Sequence, residues 1–436
     1  MSLFGAMNTA ISGLTSQSAA FGNISDNVAN SQTVGYKRVD TSFEDYLTSS
    51  TPSDNQPGGV VATPDYINNV QGTITQTDNP LGMAIAGQGF FPVSQQTGST
   101  NGLPNFDPQQ YYTRAGDFTM DKNGYLVNSS GDYLNGWSVN PTTGIANQNA
   151  ISPIQVSQTV FNPVATSTLT LSANLPATPA ANTPVSSQID VYDSLGTMHT
   201  VTLNWTQNAN NDWTVAVNVP DNTGGTPAVG SAEVKFGAAS GNAVPDGTVG
   251  SITNGTGAVT TAAYAANQPA TLNFTANFGN GPQTIALNLG TYGQSNGVTQ
   301  YAGTQYSLRG IAQNGVPPGS FSSISTQPNG DIAVNYDNGQ SRTIAQVPVV
   351  TFSNPNALQR QNGQAFTATL NSGTPLAQYA GSNGAGTLVT GSVESSNVDI
   401  ATEFSKLIVA QQAYSANTKV VTTANTLLQQ TINIIQ

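Results

Sequence analysis

The sequence has no cysteine, and few of its residues carry a charge. Without cysteine there can be no disulfide, no thiol nucleophile and no cysteine-based metal site. Only 7 % of the 436 residues are charged, whereas roughly 25 % are charged in an ordinary globular protein. The missing cysteine has two interpretations, chance or an extracellular protein that must cross a narrow conduit unfolded, and composition does not choose between them.

Positive charge is especially scarce. The chain has 10 Lys and Arg against 22 Asp and Glu, which gives a formal net charge of −12, and its largest basic run is the pair Lys37-Arg38. An acidic chain without a basic cluster is repelled by the phosphate backbone of nucleic acids. The composition therefore argues against nucleic-acid binding.

Long apolar runs are absent too. No run approaches the ~18 residues that a transmembrane helix needs, so the sequence predicts no membrane insertion. The first residues, MSLFGAMNTAISGL, lack a basic region and mix Asn, Thr and Ser with the apolar residues, which is unlike a secretory signal peptide. If the protein is extracellular, we expect it to leave the cell without a cleaved signal.

Residues that carry enzyme chemistry are sparse and scattered. His199 is the single histidine, with Asp190 and Asp193 nearby, and Gly293–Gly297 is a Gly-x-Ser-x-Gly string. A nucleophile elbow needs a strand before that string and a helix after it, but the residues that follow, Val298–Gly303, show no helical pattern. We therefore predict a loop there and no catalytic residue.

Cofactor and metal sites are not predicted either. One histidine and dispersed aspartates do not supply the three protein ligands that a catalytic zinc usually takes. The sequence also contains no P-loop and no Gly-x-Gly-x-x-Gly after a strand. A pair of carboxylates for glycoside hydrolysis stays possible at this stage, because any two of them could meet in space.

Both ends of the chain carry a seven-residue repeat of apolar residues. Such a repeat predicts coiled-coil-like α-helices over 1–30 and 397–436, and we assign the repeating residues to a polymerisation seam. They are Met7, Leu14, Phe21 and Val28 in the first helix, and Ile400, Leu407, Tyr414, Val421, Leu428 and Ile435 in the second. The alternatives are a two-stranded pair within one chain and ordinary amphipathic helices packed on a globular core. The long persistence of the repeat favours packing between molecules.

The region between the helices is predicted to be β-structure. Short strands and turn signals run through 70–150, including Tyr111–Thr113 and a hairpin at Asn123-Gly124, because an Asn-Gly pair suits a type I′ turn. The same pattern of short predicted strands and turn signals returns in 316–378. These two segments are therefore expected to form one β-domain.

A second β-domain is predicted to be inserted into the first. Residues 151–315 alternate apolar and polar side chains and predict a sandwich or barrel, while 31–69 and 379–396 are expected to be linker segments. The chain is thus predicted to be mainly β with long terminal α-helices and nested, discontinuous domains.

A motif after the first predicted helix resembles the N-terminal signature of the flagellar rod–hook family. Its residues are Ala29, Asn30, Thr33, Gly35, Tyr36 and Lys37. Segments 79–81, 84–87, 89–91 and 112–116 are similar to the first β-domain of the family, with a small departure at Gly82, where an acidic residue is common nearby. Segments 396–399 and 407–414 are similar to its C-terminal helix. The segment 193–196 resembles the outer domain of the hook members.

The resemblance implies a structural protein and not an enzyme. It implies a hook subunit that polymerises into a curved, flexible, hollow tube and acts as a universal joint between motor and filament. The terminal helices would line an axial channel, with an inner β-domain and an outer inserted domain around them, and no cofactor would be bound.

The resemblance also implies partners and a location. The partners are other copies of the chain, the distal rod, the hook cap, the hook–filament junction protein and the flagellar export apparatus, and the location is the extracellular flagellum. The alternatives are a distal rod subunit of the same family and, in other classes, an exported adhesin or a carbohydrate-active enzyme.

Overall fold

A computed structural model describes residues 3–51, 54–141, 143–179 and 184–435. The chain divides into two compact units. The first comprises the chain up to Gln158 together with Ser322–Asn335 and the chain from Ser341 onward, and the second comprises Thr159–Phe321 and Tyr336–Gln340. The prediction of a mainly β fold with long helices at both ends is confirmed.

The two helices are α1, Leu3–Ala29, and α2, Ile400–Ile435. The side-chain carboxylate of Asp399 caps the N-terminus of α2. It accepts a hydrogen bond from the backbone N–H of Thr402 at 2.8 Å, a donor that has no partner inside the helix. Glu403 lies in the first turn, where the helix dipole favours a negative charge.

The helices pack against each other in antiparallel directions. Asn27, near the end of α1, contacts Glu403, near the start of α2, with 3.0 Å between Nδ2 and Oε2. Further along, a Cβ on Gly13 would lie 2.8 Å from Nδ2 of Asn417. Gly13 therefore lies in close contact with the Asn417 side chain. The two ends of the chain pair with each other within one molecule.

A β-hairpin lies against α1. Its strands are β1, Val39–Thr51, and β2, Asp54–Tyr66. The Ser16 hydroxyl donates a hydrogen bond to the Val60 carbonyl at 3.0 Å, and the Val60 N–H donates one to the Ser12 hydroxyl at 3.1 Å. The segment 31–69, expected to be a linker, thus contains a long paired element, which its polar and irregular strand sequences did not indicate.

The remaining strands of the first unit come from both sides of the insertion. Before it lie β3 Ile74–Gln76, β4 Met83–Ala86, β5 Phe91–Thr100, β6 Leu103–Phe106, β7 Tyr111–Thr113, β8 Thr119–Met120, β9 Leu126–Val127, β10 Asp132–Ser138 and β11 Ser152–Pro153. In the second unit lie β12 Thr168–Asn174, β13 Val185–Tyr192, β14 Met198–Ala209, β15 Asp212–Asn218, β16 Ala228–Phe236, β17 Val249–Thr253, β18 Val259–Thr261, β19 Pro269–Asn277, β20 Pro282–Thr291, β21 Val298–Thr299 and β22 Ser307–Gln313. The strands that follow the insertion are β23 Phe321–Thr326, β24 Asp331–Tyr336, β25 Ser341–Gln346, β26 Val349–Thr351, β27 Gln359–Arg360, β28 Ala365–Thr367, β29 Leu376–Gln378, β30 Thr387–Thr390 and β31 Ser392–Glu394.

The early and late strands of the first unit share sheets. A twelve-stranded sheet runs in the order β23-β24-β25-β10-β5-β7-β28-β27, with shorter strands paired at its side. Thr119 pairs with Val127 across the predicted hairpin, and Gly124 in its turn has φ +84°. Phe90 and Tyr112, which precede the insertion, pack in one aromatic core with Phe352, which follows it.

The second unit has two sheets around one core. Strands β13 to β17 form an antiparallel sheet in chain order, and the other sheet runs β18-β19-β20-β12-β21, with β22 beside β12. Alternate residues of β14, Val201, Leu203 and Trp205, are buried. They share a core with Leu287 of the other sheet, so the predicted alternation places apolar side chains between two sheets.

We expect the second unit to depend on this core. Leu287→Ala should lower the free energy of unfolding by about 2–5 kcal/mol, because it leaves a cavity where a fully buried side chain stood. Leu195→Ala is the matched control, since Leu195 is 65 % exposed. Urea unfolding of both variants measures the difference, and equal loss in the two would contradict the packing described here.

Candidate self-assembly surface

The predicted seam of α1 lies beside its buried face. Met7, Leu14, Phe21 and Val28 are all half-buried, and the Phe21 ring meets the Tyr414 ring edge-on with 6.1 Å between centroids. The fully buried residues of α1 are Ala10, Gly13, Ser16, Ala20, Ile24 and Asn27. Small residues at helical spacing mark this closely packed face. They are not part of the predicted heptad seam.

The predicted seam of α2 is divided between contact and exposure. Leu407, Val421 and Leu428 are half-buried, whereas Ile400 and Tyr414 are exposed. The side chain of Ile435, the last residue of α2, lies outside the described ones. The buried residues of α2 are Glu403, Ala410 and Ala424. One row of the repeat therefore already has a partner within the chain, and this partner is α1.

Both helices still carry exposed apolar side chains. They are Phe4 and Ile11 on α1, and Ile400, Phe404, Ile408, Val409, Tyr414, Val420, Leu427 and Ile432 on α2. The hairpin adds Phe43, Tyr46, Leu47 and Val61. Exposed apolar side chains concentrated on a few elements are a feature of interaction sites in soluble proteins.

Gly35 of the motif brings the chain against the β-structure. Its φ is +72°, and a Cβ at this position would lie 2.3 Å from the backbone nitrogen of Ala115. The Gly35 N–H donates a hydrogen bond to the Glu394 carbonyl at 2.8 Å. Only glycine satisfies both the left-handed backbone and the close approach.

Lys37 of the motif enters a buried ionic cluster, which we call the Glu394 cluster: Lys37, Arg114 and Glu394. Lys37 Nζ lies 2.6 Å from one carboxylate oxygen of Glu394, and Arg114 lies 2.8 Å from the other. The Gly72 N–H also donates to this carboxylate at 2.8 Å. Lys37 and Arg114 further donate to the carbonyls of Val70 and Gly87 at 2.6 and 2.7 Å. The buried charges are thus both paired and hydrogen-bonded.

The other motif residues shape the turn after α1. Asn30 donates to the carbonyl and carboxylate of Asp26, both at 2.9 Å, and Thr33 donates to the Asn30 side chain at 3.1 Å. The Tyr36 hydroxyl donates to Asp26 at 2.9 Å. Ala29 is the last residue of α1.

A second polar network joins the helices to the hairpin. Nδ2 of Asn27 donates to the Val39 carbonyl at 2.9 Å as well as to Glu403, and its Oδ1 accepts from the Val39 N–H at 2.9 Å. Lys406 donates to Glu403 at 2.9 Å and also pairs with Asp40. These bonds fix where α1, α2 and β1 meet.

The residues considered for enzyme chemistry lie in the second unit. His199 contacts Asp221 through Nδ1 at 3.0 Å and Asp193 through Nε2 at 3.7 Å, while Asp190 accepts a hydrogen bond from Thr200 instead. Ser295 lies in the loop before β21, and a strand follows it rather than a helix. Within the part of the chain that the structure describes, no group of three acidic, His or Cys side chains could hold a metal.

Length and apolarity decide whether a helix can cross a bilayer. Of the two described α-helices, neither combines the length and the apolarity that crossing a bilayer requires.

Four family models match parts of the chain from its first helix to its last. They are described as "Flagella basal body rod protein" over residues 7–37, "Flagellar hook protein FlgE/F/G D1 domain" over 84–173, "Flagellar basal body protein FlaE D2 domain" over 164–316 and "Flagellar basal body rod FlgEFG protein C-terminal" over 389–434.

Full-length relatives carry one name. The flagellar hook protein FlgE of Brucella suis is 30 % identical over 438 residues and covers 100 % of both chains. That of Salmonella typhimurium is 30 % identical over 441 residues and covers 98 % of both. The crystal structure of the Helicobacter pylori flagellar hook protein FlgE2 matches with a TM-score of 0.47 at 14 % identity, over 72 % of this chain and 98 % of that one.

We expect Glu394 to be the critical member of the Glu394 cluster. Glu394→Gln should lower the free energy of unfolding by about 3–5 kcal/mol, because it leaves two buried cations without their counter-charge. Glu44→Gln, at an exposed site of the hairpin, is the matched control and should change it by less than about 0.5 kcal/mol. Chemical unfolding of both variants gives the comparison, and a tolerated Glu394→Gln would show that the cluster is dispensable.

Lys37 should give stability a pH dependence. Burial, aided by Arg114, lowers its pKa from 10.5 to about 8, although Glu394 opposes the shift. Between these two values the unfolded chain holds a proton that the folded chain has lost, so the free energy of unfolding gains a contribution that rises with pH and is flat below about pH 8. Urea unfolding at pH 7 to 10 should show the parent gaining on Lys37→Met as pH rises. A constant difference would contradict the lowered pKa.

Proposed function

We propose, on the premise that this chain belongs to the flagellar hook protein family, that its terminal helices join it to other copies of itself. The chain is a structural subunit of the bacterial flagellar hook. As such it polymerises into a curved, flexible, hollow tube, a universal joint that transmits motor torque to the filament. The exposed apolar side chains of α2 are the observation that carries the assignment of the joining surface.

That face has few competing charges. Within α2 the charged residues are Glu403, Lys406 and Lys419, so the segment from Val420 to Ile435 has none. Apolar area removed from water contributes roughly 25 cal/mol per Å², and no ionised side chain in that last segment would have to be desolvated. Contacts with other copies therefore complete the burial that α1 begins.

We propose that the predicted seam is divided between contacts within the chain and contacts with other copies. The half-buried members hold the helix pair together on one side; they are Met7, Leu14, Phe21 and Val28 with Leu407, Val421 and Leu428. Exposed residues such as Ile400, Phe404 and Leu427 then meet neighbouring subunits. We propose this division between intrachain and interchain contact because half-burial and exposure separate the two sets.

The domains of the subunit are proposed to have distinct places in the tube. Residues 1–30 and 397–436 would line the axial channel, where few charges and many small polar side chains suit the passage of unfolded chains. Residues 70–150 and 316–378 would form the inner wall, and 151–315 the outer layer. Polar contacts worth about 0.5–1.5 kcal/mol each can exchange with water there while the tube bends.

The family is one of structural proteins, and we infer that this chain has no enzymatic activity. We also infer that it reaches the extracellular flagellum through the flagellar export apparatus without a cleaved signal. At the ends of the tube it would meet the distal rod, the hook cap and the hook–filament junction protein. The distal rod subunit shares the terminal signatures, but the full-length relatives named above are hook proteins.

A charge on the exposed face of α2 should stop assembly. Leu427→Asp places a carboxylate in an apolar contact without a partner, which is costly, and should raise the critical concentration for polymerisation at least about tenfold, or by about 1.4 kcal/mol. The monomer should keep its circular dichroism spectrum, because the side chain is exposed.

Leu195→Asp makes the same change at an exposed leucine of the second unit and serves as the control. Sedimentation of polymer over a range of concentrations, with electron microscopy of the pellets, measures both variants. Normal filaments from Leu427→Asp would remove α2 from the joining surface.

A further inference from the structure

A groove of about 660 Å³ opens between α1, α2 and β1. Its walls are largely apolar and include Ala20, Ile24, Val39, Phe43 and Val409. We call it the α2 groove. Clefts of roughly 300–1,000 Å³ accommodate drug-sized ligands, so this one has room for two or three large side chains.

The rim of the α2 groove is charged, and only part of that charge is paired, because the exposed carboxylate of Asp65 on β2 lines the groove as well. Asp40 and Lys406 line it, and these two side chains form an ion pair with each other, while Lys406 also pairs with Glu403. Because Asp40 is paired and Asp65 is exposed to water, an occupant does not have to neutralise a buried carboxylate, and an apolar, uncharged occupant suits the walls.

A ridge of matching chemistry lies elsewhere on the same helix. Ile400, Phe404 and Ile408 are 45, 51 and 56 % exposed, and their spacing of four residues places them in one row along α2. We call this row the α2 ridge. Among the exposed positions beside it are Ala401, Gln411 and Gln412, which are uncharged. Anchors at such spacing are what a helix offers to an apolar groove.

We propose that the α2 ridge of one copy docks in the α2 groove of the next copy. This inference rests on the proposed function and names the surfaces that meet. The groove side of α2, with Thr402, Ser405 and Val409, lies about 130° around the helix from Phe404, because each residue advances it by about 100°. One copy cannot turn both surfaces toward the same partner.

That angle determines the kind of assembly. Ridge-to-groove contact is heterologous, and a heterologous contact repeats into a ring or a helical filament instead of closing as a dimer. Ridge and groove occupy the same stretch of α2, 400–410, so joined copies stand side by side at one level. Repetition of this contact builds the wall of a tube around an axis.

Cysteine crosslinking tests the contact, since the chain has no cysteine of its own. Gln411→Cys stands beside the ridge, and Ser42→Cys lines the groove. With both substitutions in one chain, polymer treated with a short bis-maleimide should give a ladder of covalent oligomers. With the substitutions on separate chains that are polymerised together, it should give dimers alone.

The control pairs Gln411→Cys with Ser18→Cys, an exposed residue of α1 outside the groove, and should give no ladder. Polymerisation should also slow maleimide labelling of Ser42→Cys at least tenfold. Filaments without a ladder would overturn the ridge-to-groove contact and leave the proposed function standing. Protection of Ser42→Cys without a ladder would show a different occupant and overturn it too. Failure of the cysteine-free chain to polymerise would overturn both.

Discussion

Glu394 holds two cations at once in a site closed to water, and three distant parts of the chain depend on this contact. Lys37 comes from the segment after α1, Arg114 from the end of β7 and Glu394 from the last strand before α2. With Gly35 against Ala115, the cluster fixes where both helices leave the β-structure. Because removing one member of a buried pair strands the others, the motif is a structural requirement of the junction.

The arrangement of the helix pair depends on the junction at the Glu394 cluster. Asn27, Glu403 and Lys406 continue the polar network to the hairpin, and small residues such as Gly13 let the helices approach closely. One side of each helix packs against the other helix. The ridge and the groove of α2 lie on its other sides. A subunit built in this way pairs its two helices and still carries exposed apolar side chains on them.

Much of this architecture could be predicted from the sequence. Heptads indicated both helices, the Asn123-Gly124 turn indicated its hairpin, and alternation at Val201, Leu203 and Trp205 indicated a strand with one buried side. The hairpin of β1 and β2 was not predicted, because its strand sequences are polar and irregular and its contacts with the Ser12 and Ser16 hydroxyls of α1 leave no local pattern. The Glu394 cluster was also hidden, since its members lie up to 357 positions apart. The motif named Lys37 but not its partners.

If α1 and α2 carry the contacts between subunits, electron cryomicroscopy of polymer assembled from the purified chain should show them. We predict that α1 and α2 surround the central channel and that Ile400, Phe404 and Ile408 of each subunit are covered by the next one. A tube in which these side chains face water, or in which the second unit forms the channel wall, would contradict the account.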